Sequence, residues 1–199
     1  MTATPAAGTC LTRAVDAVSA AFEAVPRTGF LPESVRDSAS YDGPLPIGHG
    51  QTSSQPRTVE AMLRLLEVRP GDRVLDVGSG SGWTTALLAH LTGPTGTVIG
   101  VELEPDLAAW GAENLAATGF GWACIHRARS GELGDPAGAP YDRVLVSADG
   151  GELPESLVEQ LSGSGRMVLP VAGVLLLVVR DRAQTRTSRH GHYRFVPLR

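Results

Sequence analysis

The chain has 199 residues, a size that suits one hydrophobic core, and its 42% apolar and 19% charged residues are those of a globular chain rather than a disordered one. A formal net charge of -4 argues against a broad phosphate-binding face, so nucleic acid is not expected as a partner; the complete absence of lysine leaves arginine as the fixed cation and fits a coding bias toward GC-rich codons. The two cysteines, Cys10 and Cys124, make no disulfide scaffold and fit a reducing cytoplasm, while no apolar run approaches the ~20 residues of a membrane span.

Residues 11–25 carry Val15, Val18, Phe22 and Val25 at helical spacing, and Pro26 ends this first predicted helix. The next stretch, with Pro32, Gly43, Pro44, Pro46, Gly48 and Gly50, reads as a long irregular loop, a feature that usually covers something. Pro56 opens a second helix with Val59, Met62, Leu63 and Leu66 on its core face, which Pro70 and Gly71 close. From there strands at 73–77, 96–101 and 143–147 alternate with helices at 83–91 and 107–117. This alternation predicts an α/β, Rossmann-like fold: a mainly parallel twisted sheet with helices on both faces. A helix around 157–161 precedes strands at 166–171 and 174–180. Only Ala172 and Gly173 separate those strands, so the end of the sheet is expected to be an antiparallel hairpin. Residues 182–192 read as a polar loop or frayed edge, and 195–198 as a last edge strand. Neither a repeat nor a linker divides the chain, which predicts a single domain over 1–199.

Asp76, Val77, Gly78, Ser79, Gly80, Ser81 and Gly82 join a predicted strand to a predicted helix, where an open α/β sheet binds nucleotide-like ligands. Glycine lets the backbone approach a ligand closely, and the helix N-terminus offers N–H donors to its anionic groups. A dinucleotide site favours G-x-G-x-x-G, with the third glycine where Trp83 stands. Here an acid precedes G-x-G-x-G. Asp76 suits the cationic amino end of S-adenosyl-L-methionine, met directly or through water, and would repel a pyrophosphate. Glu102, with Leu103 beside it, ends the second strand about twenty residues further on, where an acid holds both hydroxyls of a ribose. A tight turn and a solvated strand end would explain the same residues without a ligand, but strand, turn, helix and acid in this order favour a cofactor site.

The segment 40–56, Ser-Tyr-Asp-Gly-Pro-Leu-Pro-Ile-Gly-His-Gly-Gln-Thr-Ser-Ser-Gln-Pro, resembles the substrate loop of the protein-L-isoaspartate O-methyltransferases. Val25, Pro26, Arg27 and Phe30 before it are similar to the same family. So are residues 139–143 after it, and Gln160 and Leu161 through to Gly165 and Arg166, so that the likeness runs from 18 to 171. The resemblance implies a class I methyltransferase that moves a methyl group from S-adenosyl-L-methionine to the carboxylate of an aspartyl or isoaspartyl residue in a protein or peptide. Loss of methanol then gives a succinimide. It places the N-terminal helix and substrate loop in 10–56 and the cofactor core in 57–199. It also implies that Gln51, Thr52, Ser53 and Ser54 cover the cofactor and that Ser54, aided by Thr52, belongs to the catalytic site. A carboxylate is already a nucleophile at neutral pH, so hydroxyls that aim it would replace a general base.

Four departures from the family pattern stand out. The usual Gly-Asp-Gly after the third strand is Arg129, Ser130 and Gly131 here, which removes an acid expected near adenine and leaves Ser130 as an acceptor. Ser53 replaces an isoleucine and is expected to make the lid more polar. The segment 170–175 is shortened, without the expected glutamine. Asp149 stands where a small residue is usual; it caps the helix near Leu157, faces water, or recognises a cationic part of a peptide. These changes point to a specialised relative acting on one biosynthetic peptide. Two other readings stay open: an amine or RNA methyltransferase in which Asp149 orients the acceptor, and a noncatalytic cofactor-binding protein. His49, His90, His126, His190 and His192 make no metal-ligand spacing with the cysteines, so no metal is expected. Nothing demands more than a monomer.

Overall fold

The computed structural model describes residues 16–182 and 184–198. The first helix, α1 (Ala17–Ala24), begins where the Asp16 carboxylate accepts the Ser19 N–H. The earlier part of the predicted helix, with Val15, and Cys10 lie outside the described residues. Short 3-10 turns at Arg27–Phe30 and Glu33–Ser38 then lead into a small antiparallel hairpin, β1 (Leu45–Gly48) and β2 (Gln51–Ser53). The irregular loop expected here is therefore an ordered hairpin, whose tip is formed by His49 and Gly50 with positive φ. α2 (Pro56–Leu66) starts with proline at its first turn and ends where Glu67 turns left-handed.

The core is a seven-stranded sheet of order β5-β4-β3-β6-β7-β8-β9. Its parallel part comprises β3 (Arg73–Val77), β4 (Thr97–Glu102), β5 (Ala123–Arg127), β6 (Tyr141–Val146) and β7 (Leu161–Val171). Helices α3 (Trp83–Thr92) and α4 (Pro105–Ala116) follow β3 and β4, and α5 (Glu155–Glu159) precedes β7. β8 (Val174–Asp181) turns back on β7, and β9 (Gln184–His192) pairs antiparallel with β8 at the edge. The mainly parallel sheet with an antiparallel end thus matches the expected architecture. Three details differ. Residues 184–192 are a strand rather than a loop, because nearly every side chain is polar and exposed while the backbone still pairs with β8. β5 had no clear hydrophobic signature, since only Ile125 of its five residues is buried. Residues 195–198 form no strand beyond an isolated bridge between Pro197 and Asp149.

Alternation along β3 sorts the interior. Val74 joins a core made with α1, α2 and α3, and Leu75 and Val77 point to a second core with α5, Tyr141 and Met167. A third, smaller cluster sets Leu31, Leu45 and Ile47 of the hairpin region against Leu107 of α4. The hairpin is thereby seated at the carboxyl ends of the parallel strands, over the glycine turn.

Candidate active site

A cavity of about 600 Å³ opens at those strand ends, within the range of small-molecule sites. Its floor is Val77 to Ser81, the turn between β3 and α3. Gly78, Gly80 and Gly82 all have positive φ, which explains the G-x-G-x-G spacing. A Cβ on Gly80 would crowd Ile47 of the hairpin at 3.1 Å, and one on Gly82 would meet the Gly111 carbonyl oxygen at 2.7 Å. The first two glycines shape the cavity surface. Gly82 instead packs against α4 and is not part of the lining, a role other than the expected cofactor contact.

Glu102 reaches the turn from the end of β4. One carboxylate oxygen accepts the Gly80 N–H at 2.9 Å and the other the Glu104 N–H at 3.0 Å, which fixes the group at the cavity wall with lone pairs to spare. Leu103, one of the exposed large apolar residues, lines the same wall and offers a flat ring a surface. Asp76 is placed differently from expectation. Alternation turns it away from the cavity and beneath the first turn of α3, where it is fully buried and one oxygen accepts the Thr84 and Thr85 hydroxyls, each at 2.7 Å. Burial pushes its carboxyl up to about 6, against the pull of the two threonines and with a small further push from the Glu102 charge. Direct contact between Asp76 and a ligand is thus corrected to support of the turn from below. Its second oxygen and the Ser79 hydroxyl are buried without a partner among the described residues. Of the two, only Ser79 lines the cavity, where its unpaired hydroxyl can accept from the ammonium end of a cofactor such as S-adenosyl-L-methionine.

The lid is Gln51 to Ser54, all four of which line the cavity. It hangs on Arg27, which sequence reasoning noted only as part of a likeness. The Arg27 guanidinium is buried 5.5 Å from the Trp83 ring centre and donates to the Ser53 hydroxyl at 3.0 Å, the Ser53 carbonyl at 2.8 Å, the Gly43 carbonyl at 3.1 Å and the Tyr41 carbonyl at 3.1 Å. Ser53 therefore does not make the lid surface more polar: its hydroxyl is turned inward as an acceptor for Arg27. Ser54 and Thr52 make no side-chain hydrogen bond among the described residues, so their hydroxyls are free to meet a ligand. His49 at the hairpin tip lies 4.0 Å from Glu104 and 3.6 Å from Asp106 at the start of α4.

The opposite wall comprises Ala128 to Gly134, Ser147, Ala148, Gly150, Glu152 and Pro154, and the C-terminal residues Val196 to Leu198. Ser130 and Gly131 are among them, as expected. Asp149 is not. Its carboxylate accepts the N–H groups of Gly151 at 2.9 Å and of Ala172 and Gly173 at 2.8 Å. Partial burial opposes its charge, and these three donors outweigh that, holding it below the usual carboxylate range. The helix near Leu157 is preceded by Pro154, with no side-chain cap. Asp149 therefore neither caps that helix nor faces an acceptor, and the amine or RNA reading loses its one residue.

The model of the protein-L-isoaspartate(D-aspartate) O-methyltransferase family matches residues 11–199. The protein-L-isoaspartate O-methyltransferase of Methanopyrus kandleri is 45% identical over 186 residues, covering 91% of this chain and 82% of that one. Protein-L-isoaspartate O-methyltransferase 1 of Rhodopseudomonas palustris is 44% identical, covering 91% and 75%. A Plasmodium falciparum structure, described as a protein-L-isoaspartate O-methyltransferase in complex with S-adenosyl-L-homocysteine, superposes with a TM-score of 0.81 at 28% identity, over 94% of this chain and 91% of that one. Another structure named protein-L-isoaspartate O-methyltransferase gives 0.84 at 25% identity over 92% of this chain, which spans 61% of that chain's length.

Proposed function

We propose, for a chain that belongs to the protein-L-isoaspartate(D-aspartate) O-methyltransferase family, that it transfers the methyl group of S-adenosyl-L-methionine to the free carboxylate of an isoaspartyl residue in a protein or peptide. One observation carries the reading: a single cavity has a glycine cradle and Glu102 on one side and the unpaired hydroxyls of Ser54 and Thr52 on another.

When bound, the cofactor supplies an electrophilic methyl group on a sulfonium. Glu102 would hold the ribose hydroxyls with the lone pairs its two backbone donors leave open, and Leu103 would offer its side chain to the adenine. The Gly78 to Ser81 backbone and the buried Ser79 hydroxyl would take the amino acid end. Ser54 and Thr52 donate hydrogen bonds to the acceptor carboxylate and fix its approach, and the hairpin lid excludes water. No base is needed, because a carboxylate with pKa near 4 is ionised at neutral pH. In the ester product, the peptide nitrogen that follows attacks the carbonyl carbon, its proton leaves with the methoxide as methanol, and a succinimide ring closes.

The Ser53 hydroxyl is taken up by Arg27 and Asp149 stands outside the cavity lining, which favours general isoaspartyl acceptors over one biosynthetic peptide. Incubation with methyl-labelled cofactor and several unrelated isoaspartyl peptides should give label that mild base releases as methanol. Base-stable label would mark an amine acceptor and overturn the proposal; labelling of one peptide alone would restore the specialised reading. Ser54→Ala should lower kcat about tenfold or more, the worth of a hydrogen bond to a charged group, while the affinity for S-adenosylhomocysteine stays the same.

A further inference from the structure

We infer that Asp149 is a positioning residue for the acceptor side of the cavity, acting through the tight turn at Ala172 and Gly173 and the C-terminal strap at Val196 to Leu198. The inference rests on the proposed methyl transfer, but the geometry behind it stands apart from the cofactor site.

Three chain segments that are distant in sequence meet at this one residue. Through its carboxylate, Asp149 binds its own loop at Gly151 and both central N–H groups of the β7–β8 turn, Ala172 and Gly173. Through its backbone, the Asp149 N–H donates to the Val196 carbonyl at 2.8 Å and its carbonyl accepts the Leu198 N–H at 2.8 Å. Two more bonds close the frame: Gly150 N–H to the Pro170 carbonyl at 3.1 Å and Tyr193 N–H to the Gly173 carbonyl at 2.9 Å.

The turn needs such a partner. Ala172 and Gly173 have φ of 48° and 77°, the left-handed pair of a two-residue hairpin, and alanine is a poor residue for the first of them. A carboxylate accepting both turn N–H groups offsets that cost. What the frame holds is functional surface, because Gly150, Glu152, Pro154 and Val196 to Leu198 all line the cavity while Asp149 stands behind them. Displacement of a substrate-positioning wall by ~1 Å is enough to cost up to ~100-fold in rate. Among the described residues no hydrogen bond joins this frame to Glu102 or the glycine turn, so the effect falls on the acceptor rather than the cofactor.

The test compares the wild type with Asp149→Ala and Asp149→Asn. Asparagine keeps one acceptor oxygen but turns an N–H2 toward a backbone donor, so it preserves only part of the clamp. Peptide KM should rise about tenfold in the alanine variant and less in the asparagine variant, with the S-adenosylhomocysteine Kd unchanged in both. Hydrogen exchange, which needs no turnover, should accelerate at the Ala172, Gly173 and Leu198 amides and stay the same in β3. An unchanged peptide KM, or a KM and Kd that rise together, overturns the inference; so does exchange that accelerates evenly across the sheet. If the wild type itself methylates no isoaspartyl peptide, the proposed function fails, and the exchange pattern then reports on the clamp alone.

Discussion

Position along β3 gives Asp76 its unusual chemistry: the residue faces α3 in full burial, so its charge costs more in the folded chain than in the unfolded one. Its carboxyl titrates near 6 when folded, above the ordinary value of 3.8. The folded state therefore binds a proton between pH 4 and 6 that the unfolded state has lost, and the stability this gives disappears as pH rises through 6. Asp76→Asn keeps an acceptor for Thr84 and Thr85 and removes the titration. Urea midpoints from pH 4 to 7 should fall for the wild type relative to this variant; parallel profiles would show that Asp76 ionises normally. At this scale Glu102 and the glycines were legible from spacing, since neighbours in sequence define them, whereas Ser54 stood out only through the likeness of residues 40–56 to the family's substrate loop. Arg27 and Asp149 were not. Arg27 bonds to groups 14 to 26 residues away and Asp149 holds Ala172 and Gly173, 23 and 24 residues on, and apart from the Ser53 hydroxyl these partners are main-chain groups that carry no sequence signal.

The β1–β2 hairpin shows how an element can be both ordered and invisible beforehand. Pro46, Gly48 and Gly50 read as loop residues, yet Pro46 pairs with Thr52 in a two-stranded ribbon where a missing donor is tolerated, and the positive φ at the tip suits Gly50. Order comes from Arg27, whose fork binds the hairpin base in several directions at once. Lysine carries the same charge but cannot reproduce the fork. Arg27→Lys should cost about 1–3 kcal/mol by leaving buried acceptors unsatisfied, and should speed hydrogen exchange in 41–53 more than in the sheet. A midpoint within error of wild type would show that Arg27 does not hold the lid. β9 escaped for a different reason: an exposed edge strand has no buried face and hence no period-two pattern, so only its pairing with β8 defines it.

Over the whole molecule, the parallel sheet was readable because β3, β4 and β6 are buried on both faces and their helices follow at regular intervals. The cavity was only partly readable. Its far wall is assembled from 128–134, 147–154 and 196–198, which sequence order keeps apart and the sheet brings together. A ligand held among so many segments should tie them into one cooperative unit. S-adenosylhomocysteine at 100 times its Kd should add about 2.7 kcal/mol of stability, equivalent to a rise in Tm of roughly 5–10 °C for a chain of this size. No rise at saturating ligand would remove the basis for placing the cofactor in this cavity.

Gly111 sits in the middle of α4, where glycine weakens a helix, yet a Cβ there would lie 2.5 Å from the Gly80 carbonyl oxygen. The helix and the cofactor floor share a seam with no room for even a methyl group. A side chain at Gly111, a position outside the cavity, would therefore displace the Gly80 carbonyl and lower donor affinity without altering any residue that touches the ligand.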